Sequence, residues 1–67
     1  MKLTFELSNG DCVTAKSAFD CDRGDLIDVY DEDYGEFLCE FCGVLPDEVT
    51  DNFIKKVEEE IALAEHN

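Results

Sequence analysis

Sixty-seven residues carrying a formal charge of −13, 45% of them hydrophobic, make one small domain near the lower limit for a core that folds unaided. Two tyrosines and five phenylalanines exclude a disordered acidic tail, which lacks the apolar side chains to repay ordering. The sign of the charge argues against nucleic acid and anionic membrane as direct partners, because both are bound by Lys and Arg, and it leaves a basic protein surface or cations.

Met1-Lys-Leu-Thr-Phe-Glu-Leu7 alternates at once and has no apolar h-region, so a chain without a secretion signal is expected. No apolar run approaches the ~20 residues of a membrane span, and the expected place is the cytoplasm. There the four cysteines are expected as thiols or metal ligands before disulfides.

Residues 2 to 8 put Leu3, Phe5 and Leu7 on one face and Lys2, Thr4, Glu6 and Ser8 on the other, the pattern of a half-buried strand. Asn9-Gly10 signals a hairpin. A two-residue loop would set Leu7 against Cys12 and Phe5 against Thr14. A three-residue loop, Ser8-Asn9-Gly10 with Gly10 left-handed, pairs Leu7 with Asp11, Phe5 with Val13 and Leu3 with Ala15. Because a slip of one residue turns every side chain over, the apolar pattern selects the second register. The returning strand runs over about 11 to 19, followed by an Asp-rich loop over 20 to 25.

A third strand over 26 to 30 and a fourth over 36 to 43 flank an acidic turn at 31 to 35. Pairing Val29 with Phe37 and Ile27 with Cys39 gathers Ile27, Val29, Phe37, Cys39 and Phe41 on one face. Asp28, Tyr30, Glu36, Leu38 and Glu40 then share the other. Pro46 ends the sheet and opens a helix over about 47 to 65, with Asp47, Glu48 and Asp51 at the positive end of its dipole. Val49, Phe53, Ile54, Val57, Ile61 and Ala64 make its apolar face, and Asp51 and Lys55 are spaced for an ion pair. The expected architecture is α+β: a four-stranded antiparallel meander with the C-terminal helix across one face, and the acidic residues on the other.

Several motifs carry chemistry elsewhere. Cys39-Glu-Phe-Cys42 has knuckle spacing, and with Cys12 and Cys21 it offers four zinc ligands, the basis of an alternative reading as a small zinc-stabilised structural or interaction module. Phe37-x-Cys39-x-Phe41 is equally an inward-facing strand pattern, with Cys39 a small core residue, and this reading is preferred, with no metal or cofactor expected. Arg23-Gly24-Asp25 reads as a turn. The Asp-rich loops at 20 and 31 lack the EF-hand order of ligands. His66 is the single histidine and stands beside the C-terminus, and there is no nucleophile–base set or phosphate loop, so no enzyme is expected.

What organises the chain is the stretch from Asp20 to Glu40, with nine carboxylates against one base, Arg23. Alternate strand residues lie ~6.7 Å apart on one face. Once the loop acids are added, that density becomes comparable with the ~3.4 Å charge spacing along each strand of duplex nucleic acid. Tyr30 and Tyr34 are interleaved with the acids, and tyrosine supplies contact area at interfaces. In its size, the run Asp28-Val-Tyr-Asp-Glu-Asp-Tyr-Gly-Glu36 and the segment Val57-Glu-Glu-Glu-Ile61, the chain resembles small acidic phage inhibitors of host nucleic-acid machinery, the anti-CRISPR and anti-restriction proteins. That resemblance is to a class and transfers no contact residue by motif. It implies a protein that occupies a site meant for DNA or RNA, acting in the host cell cytoplasm if phage-encoded. The expected partner-binding residues are Asp28, Tyr30, Asp31, Glu32, Asp33, Tyr34, Glu36 and Glu40, meeting Lys and Arg of a basic nucleic-acid-binding surface.

Overall fold

The computed structural model describes residues 1–65; His66 lies outside the described residues. Strands β1 (Lys2–Glu6), β2 (Cys12–Asp20), β3 (Gly24–Asp31) and β4 (Phe37–Cys42) form one antiparallel sheet in the order β1-β2-β3-β4, and helix α1 (Asp51–Glu65) follows. The fold is the expected ββββα arrangement.

The first hairpin has the register that the apolar alternation selects. Leu3 pairs with Ala15 and Phe5 with Val13. The Leu7 N–H donates to the Asp11 carbonyl at 2.8 Å, and Gly10 takes φ +92°, a left-handed turn conformation that glycine adopts without a Cβ clash. The β2–β3 turn is an Asx turn: Asp20 Oδ1 accepts from the Asp22 and Arg23 N–H groups at 2.8 and 3.2 Å.

The second hairpin differs from expectation. Val29 pairs with Cys39 and Ile27 with Phe41, not with Phe37 and Cys39. Tyr30 pairs with Phe37, so Leu38 is one extra residue in β4, a β-bulge that reverses the alternation beyond it. Phe37 therefore leaves the core and lies half exposed, its ring edge-on to Tyr30 with centroids 5.6 Å apart. Leu38 turns inward and packs against the core instead of joining the charged face.

The core lies between the sheet and α1. Val13, Ala15, Ile27, Val29, Cys39 and Phe41 from the sheet meet Val57 from the helix, and Leu7 and Leu45 close the ends. Leu3, Phe5, Phe53, Ile54 and Ile61 surround them, with the Phe5 and Phe53 rings 5.5 Å apart. The helix begins one turn later than Pro46 suggested. Thr50 is its N-cap: the Phe53 N–H donates to Thr50 Oγ1 at 3.2 Å and the Ile54 N–H to the Thr50 carbonyl at 3.0 Å. Asp47 and Glu48 consequently lie in the preceding loop, Val49 precedes the cap, and Ala64 is exposed. The ion pair on the helix joins Lys56 to Glu60 at 3.0 Å, whereas Asp51 and Lys55 form none.

Candidate functional site

A meander returns alternate turns to the same end of its sheet. The β1–β2 and β3–β4 turns are therefore neighbours, and the last turns of α1 reach the same end. Asn9 and Asp11, then Asp31, Asp33 and Tyr34, then Ile61 and Glu65, line one cleft there. With Glu32 and Glu36 this end of the molecule collects six carboxylates, and none of them is in a salt bridge among the described residues. The final turn of α1 holds no basic residue, so the negative end of the helix dipole adds to the field.

Backbone hydrogen bonds hold the acidic turn in one shape. The Asp31 N–H donates to the Glu36 carbonyl at 2.8 Å and the Gly35 N–H to the Asp31 carbonyl at 2.7 Å. Asp31 Oδ1 accepts from the Asp33 N–H at 3.1 Å, and the Glu32 N–H donates to the Cys12 carbonyl at 3.1 Å. Glu32 folds back, and its carboxylate accepts from the buried Thr14 hydroxyl, which lies 3.2 Å from that of Thr4. The turn thus presents Asp33, Tyr34 and Glu36 outward on a tied frame, with Tyr34 86% exposed.

The remaining sequence-predicted residues, Asp28, Tyr30 and Glu40, do share the open face of the sheet, but not in acidic company. Cross-strand pairing sets Lys2, Lys16, Asp28 and Glu40 in one row. Arg23 Nη1 bonds Glu40 Oε1 at 2.9 Å, and its Nη2 reaches Asp20 at 3.5 Å. Lys16 Nζ stands 4.9 Å over the Tyr30 ring, an arrangement of cation and π-face. Three of the chain's five bases lie on or reach over this face, so it is a mixed, largely neutralised surface and not the acidic array expected.

Asp28 and Glu40 form a tight pair within it. Burial, and next the adjacent Glu40, hold the Asp28 carboxyl above the usual range. Its buried Oδ1 has no hydrogen-bond partner among the described residues, so the charged form is the costly one. Glu40 is held below the usual range by a hydrogen bond from Asp28 and by Arg23.

The four thiols are not brought together. A C-x2-C spacing in a regular strand sends its two side chains to opposite faces, and β4 accordingly buries Cys39 and exposes Cys42. Cys12 starts β2 at the acidic end, and Cys21 lies in the β2–β3 turn at the other. No group of three or more His, Cys, Asp or Glu converges on a metal position among the described residues. Burial pushes the Cys39 thiol up to about 11, which keeps it protonated and unreactive at neutral pH.

No helix of the described residues is long and apolar enough to cross a membrane. Comparison with protein-family models, with curated proteins and with solved structures finds no match to this chain. Asp11 and Glu65 belong to the acidic end and were not anticipated as site residues. The hairpin register could have found Asp11, since it puts that residue at the same sheet end as the 31 to 36 turn.

Proposed function

We propose that this chain is a non-catalytic inhibitor that occupies a basic nucleic-acid-binding surface of another protein by electrostatic mimicry of DNA or RNA, as anti-CRISPR and anti-restriction proteins do. The observation that carries this reading is the acidic end of the molecule. It holds carboxylates from three elements on a tied frame, none of them in a salt bridge among the described residues, around an exposed tyrosine. Fixed, unpaired negative charge of this kind repels itself and works against stability, which makes recognition its better explanation.

Asp31, Asp33, Tyr34 and Glu36 make the central contact, and Glu32 supports the turn through Thr14. Asp28, Tyr30 and Glu40 lie to one side and contribute less, because Arg23 and Lys16 already engage that face. Binding of this type is steered by charge: association slows as the screening length falls from ~30 Å at 0.01 M salt to ~10 Å at 0.1 M.

The test starts with capture from a bacterial lysate at low salt, followed by competition between this chain and nucleic acid for the captured protein. Mimicry predicts that adding the chain displaces bound DNA or RNA, with an association rate that falls as salt rises. A captured protein that holds this chain and its nucleic acid together, or that binds at a rate indifferent to ionic strength, refutes it.

A further inference from the structure

The cleft at the acidic end has a volume of about 210 Å³ and a floor different in character from its rim. Leu7 is buried there, and Leu38 and Ile61 are partly buried against the core. Asp11, Asp31, Asp33 and Glu65 stand around this apolar floor, with Tyr34 beside them. An apolar base under a ring of carboxylates fits neither a neutral apolar ligand nor an anion. It fits a side chain with an aliphatic stem and a cationic head.

We infer that the cleft receives one arginine side chain of a basic protein partner, its methylenes on Leu38 and Ile61 and its guanidinium among the rim carboxylates. This deepens the mimicry reading and rests on it for the identity of the partner. Arginine is favoured over lysine for three reasons. Its planar fork can engage two carboxylates at once, it is more weakly hydrated than an ammonium, and it stacks on an aromatic face such as that of Tyr34. The rim is set before binding: Asp31 Oδ1 accepts from the Asp33 N–H at 3.1 Å. Asn9 bridges Asp11 twice, its Nδ2 donating to Asp11 Oδ2 at 3.0 Å and its Oδ1 accepting from the Asp11 N–H at 3.0 Å. Little ordering is left for the ligand to impose, which favours a single anchor residue. The Leu38 bulge makes this possible, since it turns Leu38 to the helix side where the floor lies.

The test titrates the full chain, isotope-labelled at backbone amides and methyls, with N-acetyl-arginine N-methylamide and separately with the lysine analogue, at pH 8, where histidine is neutral. Saturable shifts of the Leu38 and Ile61 methyls and of the Tyr34 ring are expected with the arginine compound. Its dissociation constant should be on the order of 1 mM, with the lysine compound about fivefold or more weaker. Tyr34→Ala, at an exposed position, should keep the fold and weaken arginine binding severalfold. Equal response to the two compounds, or shifts spread over all carboxylates without the floor methyls, overturns the inference. The outcomes separate from those of the mimicry reading. A chain that displaces nucleic acid but fails this titration keeps the charge mechanism and loses the cleft. One that takes arginine in the cleft yet never displaces nucleic acid loses the mimicry alone.

Discussion

Asp28 and Asp33 stand on the same hairpin of the same acidic stretch, and the molecule treats them oppositely. Asp28 lies in a cross-strand row between Lys16 and Glu40, is held above the usual carboxylate range by burial and by Glu40, and sits beside the Arg23 that Glu40 already holds. Asp33 lies past the last pairing of the strands, exposed, with no described base in contact. The open face spends its carboxylates on internal pairing, and the hairpin end leaves its own available. Formal charge counted along a sequence therefore overstates what a partner meets on the sheet and is a fair guide at the turns.

The contrast breaks most sharply by mutation of the hairpin end. Asp31→Asn, Asp33→Asn and Glu36→Gln together should cost about 100-fold or more in affinity for the captured basic partner, measured by calorimetry at low salt. Glu40→Gln, on the sheet face, should change that affinity less than about twofold, because its charge is already engaged by Arg23. Similar losses from both would mean that the face, not the end, is read.

A core substitution should ignore the distinction. Val57 is fully buried, and Val57→Ala removes two methyl groups, costing about 2–3 kcal/mol in denaturant unfolding with no preference for either region. Thr50→Ala removes the helix cap and should cost about 1 kcal/mol, a fall of ~4–8 °C in Tm for a domain of this size. It acts at the helix start, away from the cleft, so partner affinity in the remaining folded protein should hold.

The pH dependence sharpens the contrast further. A raised folded pKa makes Asp28 a group whose stabilising contribution is present below its unfolded value, near 3.8, and is lost as pH rises through the folded value. Glu40, with a lowered pKa, contributes stability above its unfolded value that is lost as pH falls through the folded one. Asp28→Asn should therefore raise Tm at pH 7, and the gain should shrink toward zero at pH 3. A gain that persists at pH 3 would mean that packing, not the buried charge, sets the effect.

Much of this was legible beforehand, and the misses have physical causes. The alternation of Leu3, Phe5 and Leu7 with the Asn9-Gly10 pair determined the first hairpin, because only one loop length keeps the apolar residues on one face. The second hairpin kept Ile27, Val29, Cys39 and Phe41 inside but hid its bulge: Phe37 and Leu38 are both apolar, so periodicity could not say which one turns inward. Pro46 looked like a helix start, yet Thr50 ahead of Asp51 was the stronger cap signal. At the site, the charge block from Asp28 to Glu36 was plain in the sequence. Its division into a paired and an unpaired half was not, because Lys16, Arg23 and Glu40 become neighbours only through the strand register.

The most direct test of the account is a competition experiment in which the captured basic protein holds labelled nucleic acid and receives either the unaltered chain or the Asp31→Asn, Asp33→Asn, Glu36→Gln variant. The account predicts displacement by the first and close to none by the second at equal concentration. Equal displacement by both chains would contradict it.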